Sequence, residues 1–102
     1  MSMWYILDNN NKPVAKPALE ATDWLRDNPN RSIVKQDTID DIDVSTVFLG
    51  LDHSMPWFVD KTPLLWETMI FGGEHDQYQE RYTSYEDALK GHELALTLIP
   101  KE

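Results

Sequence analysis

The sequence predicts an α+β fold, a two-layer sandwich in which a mainly antiparallel sheet of four to five strands carries two helices on one face. Patterns along the chain occur in the order strand, helix, four strands, helix. Short connections between consecutive strands favour antiparallel pairing. Two amphipathic helices are enough to cover one face of a small sheet, so the other face has no obvious cover.

The first strand and the first helix precede the main run of strands. Residues 4–7 are aromatic and β-branched, and the turn-forming residues 8–13 behind them indicate a strand that ends in a loop. Pro17 suits the first turn of a helix, and apolar residues recur after it at helical spacing. Because Pro29 disfavours helical geometry for the residue before it, this helix is predicted to end at Asn28.

Four strands are predicted in succession after this helix. Residues 31–38 have a half-polar pattern, in which Ser32, Val34 and Gln36 alternate with Ile33, Lys35 and Asp37, and this pattern fits an outer strand or one that is exposed on one side. Residues 42–51 and 63–71 are apolar on both faces, which is typical of central strands. Residues 78–82 alternate again and predict the last strand.

Turn residues separate these strands. Asp40 and Asp41 predict a tight turn between the first two. Gly72 and Gly73 predict a strand-ending turn that needs positive φ. This glycine pair is not a phosphate loop, because a third glycine, a following lysine and a helix start are all missing behind it.

A capping box predicts the start of the last helix. The box is formed either by Thr83 with Glu86 or by Ser84 with Asp87. An apolar stripe at helical spacing follows, and Pro100 closes the helix.

Size and charge limit the function. We expect a single domain spanning residues 1–102, because 102 residues is the commonest size of one domain. The absence of cysteine excludes a disulfide framework and thiolate ligands. The 18 acidic and 9 basic residues give a formal charge of −9, which argues against direct binding of nucleic acid. We find no signal peptide and no span that could cross a membrane, so we expect no membrane association and a cytoplasmic location.

Candidate chemistry depends on the histidines, since histidine alone among side chains ordinarily titrates near neutral pH. His53 follows Asp52 at the end of the most apolar strand, and His92 lies on the inward stripe of the last helix, where leucine would be the default. Glu67 is a carboxylate within an otherwise apolar strand. If the last helix crosses the sheet near the strand ends, these side chains could meet and form a weak divalent metal site or an acid/base pair. The predicted ligand or metal candidates are Asp52, His53, Glu67 and His92.

Each of these residues also has a structural interpretation. His92 could be a core histidine with one ring nitrogen bonded to the backbone, because no pair of histidines has a recognised metal spacing. Glu67 either faces solvent or is held by Arg81, Lys35 or a histidine. Recognised catalytic and nucleotide-binding motifs are missing from the sequence, so we favour a protein that is not an enzyme and expect no cofactor.

Two acidic segments and one apolar loop are candidate partner-binding features. The first acidic segment contains Asp37, Asp40, Asp41 and Asp43, and the second contains Glu74, Asp76 and Glu80. Such patches could imitate the phosphates of a duplex and occupy a basic groove of a nucleic-acid-binding protein, or they could simply confer solubility. The loop at 52–62 is unusually apolar, and its Trp57 and Phe58 could contact a partner.

Three blocks of the sequence form a distinctive set: VSTVFLGLDH at 44–53, PLLWETMIFGG at 63–73, and RYTS with ALKGHE within 81–93. In these blocks the chain resembles a group of short uncharacterised proteins encoded in bacteriophage and prophage genomes. The resemblance covers roughly the C-terminal two thirds of the chain and implies a bacterial host cell as the setting. It implies no activity. Similar proteins share the motifs that contain His53, Glu67, Gly72, Gly73 and His92, which implies a common role in function or in folding.

These observations predict a small acidic accessory protein of phage type that binds a host or phage protein without catalysis. One example would be an inhibitor of a host defence or nucleic-acid-processing protein. The alternative is a protein with a pocket for a small ligand or metal, or a small enzyme, built on the histidine and carboxylate candidates. A third hypothesis is a homodimer closed through the uncovered face of the sheet.

Overall fold

The computed structural model describes residues 3–54 and 62–100. It has the predicted α+β architecture, with a sheet as one layer and helices on one face of it. The elements are β1 (Trp4–Leu7), β2 (Pro13–Lys16), α1 (Ala18–Asp27), α2 (Pro29–Ser32), β3 (Ile33–Ile39), β4 (Ile42–Phe48), β5 (Trp66–Phe71), β6 (Gln79–Tyr82) and α3 (Tyr85–Thr97).

The main sheet is an antiparallel meander in the order β3-β4-β5-β6. Val44 pairs with Ile70, Thr46 with Thr68 and Phe48 with Trp66, and all six side chains are buried. Because side chains alternate along a strand, their neighbours point to the opposite face. We call these the inner and the outer face. The outer face carries Gln36, Thr38, Asp43, Ser45, Val47, Glu67, Met69, Phe71, Gln79 and Arg81.

A separate ribbon of β1 and β2 forms where the sequence predicted a strand followed by a loop. The turn-forming residues fold the chain back on itself, because one oxygen of the Asp8 carboxylate accepts hydrogen bonds from the backbone N–H groups of Asn10 and Lys12. These two backbone bonds hold the pKa of Asp8 below its usual range. The ribbon is tied to the rest of the fold by a bridge between Trp4 and Leu51.

The two main helices start where the sequence predicts, and α1 also ends where predicted, whereas α3 ends at Thr97, short of the predicted stop at Pro100. Pro17 and Asn28 flank α1, and Ser84 is the N-cap of α3, whose hydroxyl accepts the backbone N–H of Asp87 at 3.1 Å. The second of the two proposed capping pairs is therefore the one that forms. A single further turn, α2, begins at Pro29. In the described part of the chain, no helix is long and apolar enough to span a membrane.

The core lies between α3 and the inner face, and it consists of two apolar clusters. One surrounds Phe48 and Trp66, where the rings of Phe48 and of Trp24 from α1 are perpendicular, with their centroids 6.1 Å apart. The other surrounds Val44 and Ile70. The molecule measures 47 × 33 × 21 Å, and its smallest dimension fits two layers, since packed layers lie about 10 Å apart.

Candidate functional site

The four residues of the predicted pocket do not come together. His92 points from α3 onto the inner face, where its ring contacts Thr46. Glu67 is adjacent in sequence to Thr68, a partner of Thr46, and so lies on the outer face. Two side chains on opposite faces of one sheet cannot share a ligand. In addition, no group of three His, Asp or Glu side chains within the described residues is placed to hold a metal ion.

His92 is instead the centre of a polar layer that separates the two apolar clusters. Its side chain is fully buried. Nδ1 lies 2.7 Å from Thr46 Oγ1, and Nε2 lies 2.8 Å from Asp37 Oδ2. The hydroxyls of Thr46 and Thr68 are 2.5 Å apart. We call these four residues the polar layer.

The direction of the hydrogen bonds in this layer follows from the chemistry of its ends. An ionised carboxylate only accepts hydrogen bonds, so Nε2–H donates a hydrogen bond to Asp37. In a neutral ring Nδ1 then accepts from the hydroxyl of Thr46, which in turn accepts from Thr68. Both ring nitrogens are therefore satisfied by side chains. His92 is therefore a core histidine, as the structural interpretation predicted. Its ring bonds to a carboxylate and a hydroxyl, however, and not to the backbone group that was expected.

Tyr82 continues the row of polar groups toward β6. Burial raises the pKa of its phenol, and the neighbouring Thr68 hydroxyl opposes that effect in part. The phenol oxygen has no hydrogen bond of good geometry among the described residues. Helix α3 crosses Tyr82 at Gly91, where a Cβ atom would overlap the tyrosine ring.

Glu67 is held on the outer face by two neighbours on β6. Its Oε2 accepts from Arg81 Nε at 2.9 Å and from Gln79 Nε2 at 2.6 Å. The side chain of Glu67 is only 12% exposed. Of the interpretations considered from sequence, the one with Arg81 as partner is therefore confirmed. The ion pair leaves no free charge at this position.

Asp52 has a structural role at the base of the apolar loop. Its carboxylate accepts hydrogen bonds from the backbone and hydroxyl of Ser54 and from the backbone of Leu64. Burial by itself would raise the pKa of Asp52, but these hydrogen bonds outweigh it and hold the pKa below its usual range. His53 Nδ1 donates to the carbonyl of Leu51 at 2.7 Å when that nitrogen carries the proton. The predicted partner contacts Trp57 and Phe58 lie outside the described residues.

The two acidic segments lie side by side at one end of the sheet. Asp43 and Phe71 are paired across β4 and β5, which brings the β3-β4 turn next to the β5-β6 loop. A Cβ atom on Gly72 would lie 3.3 Å from the backbone oxygen of Asp41. What the sequence presents as two patches is therefore one surface. We call it the acidic end, and it consists of Asp40, Asp41, Asp43, Glu74 and Asp76.

The predicted turns build this surface. Asp40 and Asp41 have φ of 49° and 67°, and Gly72 and Gly73 have φ of 98° and 70°. Short polar residues tolerate this left-handed region better than other side chains, and glycine adopts it without cost. Asp76 accepts the backbone N–H of Gly72 at 2.7 Å and so fixes the second turn. Asp37 is drawn away from the acidic end by its bond to His92.

A groove runs over the outer face beside the acidic end. Its larger part is a hollow of about 320 Å³, and a smaller hollow of about 140 Å³ adjoins it. Ser45 and Phe71 line both, and 42% of Phe71 is exposed. The sequence indicated a strand that is apolar on both faces, so nothing in it marked Met69 and Phe71 as part of a site. We call this groove the outer groove, and it is lined by Gln36, Asp37, Thr38, Asp43, Val44, Ser45, Val47, Glu67, Met69 and Phe71.

Comparisons of the chain with protein-family models, curated proteins and solved structures found no match. The resemblance to phage-encoded proteins therefore stays a prediction. We therefore infer the function from the geometry of the acidic end and the outer groove.

Proposed function

We propose that this protein is a non-catalytic binding module that docks its acidic end on a positively charged surface of another protein. The observation that carries the proposal is the joining of two acidic segments, about 30 residues apart in sequence, into one surface. The segments 37–43 and 72–77 contain no lysine or arginine. A concentrated field of one sign attracts an oppositely charged partner over a long range and speeds its association.

Ion pairs elsewhere in the chain argue that this surface is more than a means of staying soluble. Six described acids outside the acidic end pair with nearby bases: Glu20 with Lys16, Asp23 and Asp27 with Arg26, Glu86 with Lys12, Glu93 with Lys35 and Glu67 with Arg81. Among the described residues, no carboxylate of the acidic end pairs with lysine or arginine. Solubility needs only net charge, whereas recognition needs charge that is uncompensated in one place.

A phage-type accessory protein with this surface would suit a partner that normally binds phosphate groups. Such a partner presents clustered Lys and Arg, and carboxylates at one end of a small protein compete for the same groups. The proposed partner is therefore a host or phage protein that processes nucleic acid or takes part in defence, and the proposed location is the bacterial cytoplasm.

The test compares two triple variants that each remove three negative charges. Asp40→Asn with Asp41→Asn and Glu74→Gln changes the acidic end, and asparagine still tolerates the left-handed turn. The matched control, Glu20→Gln with Asp23→Asn and Glu86→Gln, changes acids that lie elsewhere. Each protein is immobilised and exposed to bacterial lysate at low and physiological salt, and retained proteins are identified by mass spectrometry.

We expect a protein with a basic surface to be retained by the wild type and by the control, and to be lost from the acidic-end variant. Equal retention by the two variants would contradict the proposal. So would the absence of any specifically retained protein at both salt concentrations.

A further inference from the structure

We infer that the outer groove receives an extended segment of the partner with the pattern Arg-x-aliphatic, whose guanidinium group lies between Phe71 and Asp43. The inference rests on the proposed function and names the part of the partner that this site recognises. The acidic end would attract the partner, and the outer groove would recognise the sequence of its segment.

Phe71 and Asp43 form a site suited to arginine. They are directly opposite each other on β5 and β4, and both point to the outer face. Facing residues in antiparallel strands have Cβ atoms about 5 Å apart, so the ring and the carboxylate stand side by side. A guanidinium group is planar, stacks on aromatic rings and forms forked hydrogen bonds with carboxylates, which lysine does not.

A neighbouring hydroxyl fixes the Asp43 carboxylate for this role. Thr38 Oγ1 donates to Asp43 Oδ1 at 2.6 Å. The second oxygen, Oδ2, has no partner among the described residues. A preorganised carboxylate with one free oxygen loses little side-chain entropy when it accepts a hydrogen bond from a ligand.

The smaller hollow explains the aliphatic part of the pattern. It is lined by Val47 and Met69, and the carboxylate of Glu67 beside them is already paired with Arg81. This part of the groove is therefore apolar and offers no unpaired charge. Alternate side chains of an extended segment point the same way, so residues i and i+2 would fill the two hollows.

A second copy of the chain is a poorer occupant of the groove. A symmetric contact between two outer faces would bring like surfaces together, including Asp43 and the adjoining acidic end. With a formal charge of −9 on each copy, such a contact is opposed by repulsion. A segment that carries arginine has the complementary charge.

The probe is a fluorescently labelled peptide, Arg-Ser-Leu-Ser-Arg-Ser-Leu, whose binding is measured by anisotropy at low and physiological salt. The same peptide with lysine in place of arginine has the same charge and is the control for stacking and forked hydrogen bonds. Phe71→Ala, Phe71→Leu and Asp43→Asn test the groove. Leu19→Ala and Glu20→Gln are the matched controls, since Leu19 is 74% exposed on α1 and Glu20 lies beside it.

We expect the groove variants to weaken binding of the arginine peptide about five- to tenfold and the controls to change it less than about twofold. The lysine peptide should bind about as weakly as the arginine peptide binds to Phe71→Leu. Phe71→Leu keeps an apolar side chain at the strand end, so it separates loss of the ring from any loss of folding, which circular dichroism would show.

Three results would overturn the inference. If binding falls in the acidic-end triple variant but not in the groove variants, the inference fails while the proposed function stands. Failure of the wild type to bind the arginine peptide at low salt would also exclude this pattern, whatever the lysate experiment shows. A dimer in sedimentation that Phe71→Leu dissociates would identify a second copy as the occupant.

Discussion

At the scale of single residues, Glu67 in the sheet and His92 beneath it on α3 each depend on polar neighbours, but in different ways. Glu67 lies on the outer face, and an ion pair with Arg81 neutralises it. His92 lies on the inner face, and hydrogen bonds on both sides of its ring satisfy it. A buried polar group without a partner destabilises a fold by about 1–3 kcal/mol, so each of these side chains needs its neighbour.

The hydrogen bond between His92 and Thr46 can be tested by a double-mutant cycle. His92→Leu should lower the free energy of unfolding by about 1–3 kcal/mol, because it leaves the Thr46 hydroxyl with one partner fewer. Thr46→Val should have a similar effect through the unsatisfied Nδ1 of the ring. The double variant should cost less than the sum by about 1 kcal/mol or more, since both polar partners are then replaced together.

Urea denaturation of the four proteins measures this cycle. Ser45→Ala is the control, because Ser45 is the outer-face neighbour of Thr46 and, among the described residues, its hydroxyl bonds only to the exposed Gln36 side chain. It should change stability by less than about 0.5 kcal/mol. Strict additivity of His92→Leu and Thr46→Val would show that the polar layer contributes no coupling.

The sequence was sufficient to predict that His92 faces inward and that Glu67 could pair with Arg81. It was not sufficient to identify Asp37 as the partner of His92. Strand β3 is half polar on both faces, so alternation does not single out Asp37. The contact also depends on where α3 crosses the sheet, which is decided by packing and not by any local pattern.

At the scale of elements, length and proline together decide what the sequence could predict. Helices α1 and α3 have 10 and 13 residues, long enough for their apolar periodicity and end signals to be recognised. Strands β1 and β6 have four residues each and were predicted from their residue types and alternation. Elements β2 and α2 are equally short but begin with proline, which indicates a turn. The ribbon and the extra turn were therefore missed.

The close approach of α3 to β6 depends on Gly91. Alanine is about 1 kcal/mol more favourable than glycine inside a helix, so propensity alone predicts that Gly91→Ala stabilises the protein. Because the new Cβ would overlap the Tyr82 ring, we expect Gly91→Ala to lower the melting temperature instead. Tyr82→Leu in the same chain should recover part of the loss.

Thermal unfolding followed by circular dichroism measures these variants. Lys90→Ala is the control, since Lys90 is the exposed neighbour of Gly91 on α3. It should leave the melting temperature nearly unchanged. A rise in melting temperature with Gly91→Ala alone would mean that the helix does not lie this close to Tyr82.

At the scale of the whole molecule, the charge is unevenly compensated. The three acids of α1, Glu86 and Glu93 of α3 and Glu67 of β5 have basic neighbours within ion-pair distance, whereas those of the acidic end have none among the described residues. A surface kept for binding often reduces stability, because its groups are placed for a partner that is not yet present. The carboxylates of the acidic end should therefore repel one another in the free protein and lower its stability.

This self-repulsion predicts that only one of the two charge variants is stabilised. Asp40→Asn with Asp41→Asn and Glu74→Gln should raise the melting temperature by about 2–4 °C at low salt, because it relieves repulsion among unpaired carboxylates. This gain in melting temperature should shrink at about 1 M salt, where the Debye length is only about 3 Å and the repulsion between the carboxylates is screened. Glu20→Gln with Asp23→Asn and Glu86→Gln breaks ion pairs and should give no gain at either salt concentration. Equal gains in both variants would mean that the net charge of the chain, and not the grouping of acids at one end of the sheet, sets the repulsion.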